Sequence, residues 1–215
     1  MENKNTFTKF LIYFLIYLLT SAVIYFFNIR RLYLLFNTGL AFIPFILTSY
    51  GKREKTRGIF LILAVLVAII FYPNCIYMFT DFIHIKRSDY YTNINQVIYV
   101  FNYLNWLRLG TDLIMILLSL ILGYESFVNL VTIFKCRGHI LAEFILLIFF
   151  SGLASLGVYL GRFIRLNSWD ILNPLSLKMQ ITDIISKMNL NDYYLLCVFA
   201  GVHFLVILLF ANLKR

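Results

Sequence analysis

Residues 59–85 read IFLILAVLVAIIFYPNCIYMFTDFIHI. From Ile59 to Tyr72 there is no charged or amide side chain. A bilayer span needs roughly 20 mostly apolar residues, and with no water in the hydrocarbon core its backbone must bond to itself. The run therefore reads as a membrane-crossing helix. The residues beyond Tyr72 differ in kind. Asn74, Tyr77, Asp81 and His84 recur at helical spacing. A continuing α-helix, turning about 100° per residue, would hold all four within an arc of ~80°. Singly, each is an ordinary solvated helix end. Together they predict a polar stripe emerging from one end of the span, with Pro73 able to kink the helix just before it.

The same reading extends outward. Hydrophobic residues make up 61% of the 215 and charged ones only 13%, so the relevant solvent is a bilayer. Further apolar runs at 10–27, 32–50, 108–130, 140–161 and 193–213 join 59–80 to predict six spans. The expected fold is all-α: one integral membrane domain over 1–215, a polytopic transmembrane helical bundle with one or two interfacial helices. Lys4 and Lys9 precede the first run, which continues through Tyr25, Phe26 and Phe27 with no small-residue cleavage site. It reads as a retained helix rather than a signal peptide. The net charge of +9 is dispersed in short clusters between apolar runs, a membrane protein's pattern and not a nucleic-acid-binding surface. Cys75, Cys136 and Cys197 are isolated and read as small buried hydrophobes.

Six spans put both termini on one side, called A. It holds Lys4, Lys9, Lys52, Arg53, Lys55, Arg57, Lys135, Arg137, Lys214 and Arg215. Side B holds Arg30, Arg31, Lys86, Arg87, Arg108, Arg162, Arg165, Lys178 and Lys187. The totals nearly tie, but the A connections are short and densely basic. The B connections, 81–107 and 162–192, are long and mixed with Asp, so they weigh less under the positive-inside rule. Side A is expected to be cytoplasmic in a cell (plasma) membrane, with the long loops outside. Within them, INQVIYVFNYLNWL (94–107) is too polar to span and too apolar to float, and predicts an interfacial or re-entrant helix. LSLKMQITDIISKMNL (175–190) has apolar residues at helical spacing and predicts an amphipathic helix on the outer surface.

The stretch GRFIRLNSWD (161–170) ends the fifth run with dense hydrogen-bonding chemistry. Arg162, Arg165 and Trp169 have the spacing of a second helical stripe, with Asn167 and Asp170 beside them. The arginines could snorkel to headgroups, Trp169 could anchor at the interface, and Asp170 could pair with an arginine or cap a helix. Asn37, behind Arg30 and Arg31, and Asp112 lie near the same end of their spans. Four spans thus bring polar residues to one depth. A carboxylate there is costly unless paired, so Arg162 and Arg165 are expected to face Asp81, Asp112 or Asp170. Two guanidinium forks also suit an anionic headgroup or phosphate. Asp81 and His84 could supply two ligands of a divalent metal, although no third is specified by spacing.

Several of these stretches are familiar. FYPNCIYMFTDFIHI (71–85) and GVYLGRFIRLNSWDIL (157–172), with NTGLAFIPF (37–45) and WLRLGTDLIMILLSLILGYES (106–126), resemble the bacterial membrane-protein family known as domain of unknown function 1361. The likeness covers roughly residues 30–175. It implies a multi-pass bacterial membrane protein with these outward motifs as its signature, and it brings no substrate, cofactor or catalytic residue. Where such proteins often have NAPY, this chain has NCIY, without the second proline.

Three functions fit the pattern. The first is an outward site for an anionic lipid or cell-envelope ligand. In a catalytic version Asp81 or Asp170 would be the base or metal ligand and His84 its acid–base partner, but no nucleophile motif or Gly-rich phosphate loop specifies a reaction. The second is a transporter, which needs ionisable chemistry near the midplane. Glu125 and Glu143 lie toward the inner ends, and only His203 is deep; a lone deep histidine is commonly neutral and bonded to a neighbouring helix. The third is a scaffold or accessory subunit whose polar cluster locks helices together. The bilayer is the partner in every case, and no cofactor is called for.

Overall fold

The computed structural model describes residues 2–53, 58–93, 97–166 and 173–213. Its helices are α1 (Glu2–Phe26), α2 (Leu32–Gly51), α3 (Ile59–Phe71), α4 (Asn74–Tyr77), α5 (Tyr103–Ile133), α6 (Ile140–Tyr159), α7 (Pro174–Lys187) and α8 (Leu190–Leu213). Six stretches are long and apolar enough to cross a membrane: Thr6–Phe26, Leu32–Gly51, Ile59–His84, Tyr103–Ile133, Ile140–Ile164 and Leu190–Leu213. The architecture is an all-α bundle, as expected, with one small hairpin among the described residues.

α5 is the axis. At 1.5 Å per residue its 31 residues run for roughly 46 Å, longer than a hydrocarbon core, and most of its span is buried by its neighbours. α2 packs along it, α3 packs on α2, and α8 pairs with α6. The buried positions of α5 include polar residues at each level: Asp112, Ser119, Ser126 and Asn129. Ser119 meets Thr38 of α2 at 3.5 Å, and the Asn129 amide donates to Thr48 Oγ1 and Ser49 Oγ at 3.3 and 3.0 Å. Such bonds hold membrane helices together where lipid is as apolar as a leucine face. On side A, Glu125 accepts from Lys9 through both oxygens at 3.0 Å and from the Tyr13 hydroxyl at 3.3 Å, which fastens α1 to the axis.

The third span is not one continuing helix. α3 stops at Phe71, a short turn carries Pro73, α4 supplies one turn, and a 3₁₀ helix runs from Met78 to His84. The proline has no N–H to donate, which removes a rung of the helical ladder. The broken segment is wedged among its neighbours. A Cβ on Gly157 of α6 would overlap the Pro73 ring, and one on Gly123 of α5 would come 2.8 Å from Cys75 Cβ. Two glycines therefore let the break sit flush against α5 and α6.

Among the described residues of 94–107, no separate interfacial or re-entrant helix precedes the fourth span. Tyr91–Asn93 and Val97–Tyr99 pair antiparallel, with Tyr91 opposite Tyr99, and residues 94–96 lie outside the described residues. Val97, Ile98 and Tyr99 are β-branched or aromatic, which favours a strand. From Tyr103 the chain is already α5, capped by Asn102, whose side chain accepts from the Leu104 N–H at 3.0 Å. The amphipathic helix expected at 175–190 is α7, begun by Pro174 at its first turn.

Candidate functional site

The side B end of the bundle carries two buried ion pairs, built from four elements. In the first, Arg162 reaches Asp81 across from the 3₁₀ helix, and its Nε donates to Thr80 Oγ1 at 2.8 Å. Thr80 in turn donates to the Tyr77 carbonyl at 2.7 Å, so the hydroxyl is fixed by both bonds. The guanidinium also lies over the Tyr77 ring, 4.4 Å from its centroid. The sequence produces this because three residues per turn align Asp81 with His84 in the 3₁₀ helix. Their Oδ1 and Nε2 stand 3.8 Å apart. Asp81 is 4% exposed, so its charge rests on these partners.

In the second pair, Arg31 precedes α2 and meets Asp112 of α5 at 3.6 Å. It also donates to the Tyr33 hydroxyl at 2.9 Å and the His84 carbonyl at 3.3 Å. The Tyr33 and His84 rings pack edge to face at 5.3 Å. Further out, Arg108 faces Asp89 at 3.9 Å, and the Asn105 amide donates to the Asp89 carbonyl at 2.6 Å. Tyr90 donates to the Asn105 carbonyl at 3.3 Å. Burial raises its pKa from the ordinary value, and the carboxylates of Asp112 and Asp89 add to the rise against the opposing Arg108 and Arg31. Three buried polar atoms of this layer, Arg31 Nε, Asp81 Oδ2 and Asp112 Oδ1, have no hydrogen-bond partner among the described residues.

Beside the charged layer lies a cavity of about 260 Å³. α2 contributes Phe36, Asn37 and Leu40, and the broken third span Ile70, Pro73, Asn74 and Tyr77. Gly157, Leu160, Gly161 and Leu166 form the opposite wall, and Leu177 and Ile181 of α7, one turn apart, cover it. The described lining holds no charged side chain. Asn74 donates to the Phe71 carbonyl at 3.0 Å, whereas the Asn37 carboxamide and the Tyr77 hydroxyl make no hydrogen bond with a described residue. Tyr77 belongs to both features, since it lines the cavity and carries Arg162 on its ring.

The structure thus brings Asn37, Asn74, Tyr77, Asp81, His84, Asp112 and Arg162 to one end, and divides them between a cavity and a charged layer. Arg165 departs from the expectation. α6 ends in a π turn at Leu160–Ile164, and Arg165 closes it in the left-handed conformation, φ 65°. The helical stripe Arg162–Arg165–Trp169 is broken there, and Arg165 is exposed with no ion pair to a described residue. Asn167, Trp169 and Asp170 lie outside the described residues. Arg31 is the partner of Asp112 that helical spacing could not name, because it sits in a connection. Thr80 was hidden for a related reason: only the 3₁₀ winding brings it beside Asp81 toward Arg162. Asp81 and His84 gain no third ligand: no group of three His, Cys, Asp or Glu suited to a metal occurs among the described residues.

His203 is bridged on both ring nitrogens, Nε2 to the Tyr72 hydroxyl and Nδ1 to Ser151 Oγ, each at 2.9 Å. The three residues are at most 3% exposed. The contacts are buried, and they join α8 to α6 and to Tyr72 at the end of α3.

No curated protein and no solved structure matches the chain. A family model does, over residues 36–208, which takes in the broken third span, the axis, both walls of the cavity and α7. The chain belongs to the family described as "Protein of unknown function (DUF1361)".

Proposed function

We propose that this protein is a multi-pass protein of a bacterial plasma membrane, with termini cytoplasmic and side B outward, that binds an anionic lipid or lipid-linked envelope ligand at its outer end. The observation that carries the reading is the cavity. It sets into an apolar wall beneath an amphipathic helix two hydrogen-bonding groups, the Asn37 carboxamide and the Tyr77 hydroxyl, that bond to no described residue. Both residues are half-buried, so these groups are open to the polar atoms of a ligand that enters. Exposed Arg165 directly precedes Leu166 of the lining, and exposed Lys178 directly follows Leu177. Both are exposed and make no ion pair with a described residue, and they are the cations we assign to an anionic headgroup.

A second reading has its own support. Arg162 and Asp81, like Arg31 and Asp112, already hold one another, and such pairs can fix helix packing with no ligand at all. The two readings assign different residues: the charged layer locks the helices, and the cavity takes the ligand. Purification into detergent followed by quantification of retained lipid tests this. Wild type is expected to keep anionic lipid above its share of the membrane, and an Arg165→Ala, Lys178→Ala double variant to lose that enrichment at normal yield. Retained lipid of bulk composition in the wild type would leave the scaffold reading alone standing.

A further inference from the structure

We infer that the cavity takes the uncharged, carbonyl-bearing neck of a diacyl lipid, with the charged headgroup outside at the mouth and the chains in the bilayer. The inference rests on the reading that the cavity is the ligand site and names which part of the ligand enters it. Charge is the first ground. The described lining is free of it, so a phosphate placed inside would meet a low-dielectric wall with no counter-ion. The neighbouring guanidinium of Arg162 is held by Asp81 and Thr80.

Size comes next. A volume of about 260 Å³ equals roughly nine waters at ~30 Å³ each, enough for a glycerol ester region and the first methylenes but not for a whole lipid. The remainder must continue beyond the wall. Phe36, which lines the cavity and is 54% exposed, stands on the apolar outside of α2, so that continuation runs into lipid.

Hydrogen-bonding chemistry agrees. Asn37 offers amide donors and Tyr77 a hydroxyl donor, and neither has a partner among the described residues. Ester carbonyls are acceptors only. They match these donors without bringing a charge inside. α7, with Leu177 and Ile181 on the inner face, covers the same space from the aqueous side. Entry is therefore lateral, from the leaflet.

Lipid retention by the full chain in nanodiscs tests this, using phosphatidylglycerol with ester-linked chains, its ether-linked analogue, and a polyprenyl phosphate. The ether analogue keeps the charge and the chains but lacks the neck carbonyls. The polyprenyl phosphate keeps the charge with no glycerol neck. Wild type is expected to retain the ester lipid about fivefold over either competitor, in line with one or two hydrogen bonds. Asn37→Leu, and independently Asn37→Asp, should bring the ester-to-ether ratio close to one, while Leu40→Trp, which fills the cavity, should abolish retention of all three. An ester-to-ether ratio near one in the wild type, or a ratio that Asn37→Leu leaves unchanged, overturns the neck assignment. If Leu40→Trp still removes binding in that case, the cavity remains the ligand site. Undiminished retention in Leu40→Trp overturns both.

Discussion

α5 carries two buried carboxylates, and its two ends treat them differently. Glu125, on side A, accepts from Lys9 at 3.0 Å through both oxygens and from Tyr13 as well. Asp112, on side B, meets Arg31 at 3.6 Å through one oxygen, and its other oxygen has no partner among the described residues. The same helix, in the same apolar setting, thus has a closed polar lock at one end and an incompletely closed one at the other. Lys9 is a flexible stem that can bring its ammonium to the carboxylate. Arg31 divides its donors among Asp112, Tyr33 and the His84 carbonyl. An end fastened by spread, partly met bonds is the end at which the bundle can accommodate something else.

The largest effect that would sharpen the contrast belongs to Arg162→Ala. It leaves Asp81, whose side chain is 2% exposed, buried without its cation, and should cost about 3–5 kcal/mol in detergent unfolding. Arg162→Lys should recover only part of that loss, since an ammonium cannot reproduce the bonds to both Asp81 and Thr80. Next is Asn129→Ala on side A, which removes two bonds to α2 and should cost about 1 kcal/mol by the same measurement. If it cost more than Arg162→Ala, the Arg162–Asp81 pair would not be the stronger lock on the helices.

Arg165→Ala is expected to change stability by less than about 0.5 kcal/mol, being exposed and unpaired with any described residue. A large loss of stability would return Arg165 to the structural cluster. The smallest effect lies at high pH. The Tyr90 hydroxyl holds its proton more tightly in the folded chain than at its ordinary pKa of 10.0. Stability should therefore be independent of this group below about pH 10 and decline above it, as the unfolded state releases the proton first. Tyr90→Phe should lessen the alkaline decline measured by unfolding between about pH 9 and 11.

Much of the fold is legible in the sequence alone. All six spans come from run length, because backbone in lipid has so few alternatives. α7 comes from its apolar spacing, and the grouping of Asn74, Tyr77, Asp81 and His84 from theirs. The structure has the four at one end but in two features, Asn74 and Tyr77 on the cavity and Asp81 and His84 in the charged layer. The span breaks at Pro73 and rewinds as a 3₁₀ helix, whose three-residue turn happens also to align positions 81 and 84. Periodicity fails where the chain changes its winding. The π turn and left-handed Arg165 take that side chain off the face shared with Arg162, and nothing in 160–166 announces it. The hairpin at 91–99 is short enough that polar composition masks its β-formers. Arg31 could not be matched to Asp112, because a residue in a connection has no helical phase from which to reckon.

The fit of Pro73 into the notch left by Gly157 has a mechanical consequence. The proline ring occupies the space where any other residue's Cβ would stand, so α6 and the third span interlock like a peg in a socket. Sliding along the membrane normal would drive the peg into the helix above or below the socket. Tilting would not. The contact therefore fixes the height of α6 against the third span. Because Gly157 and Pro73 both line the cavity, that height also sets the spacing of its walls.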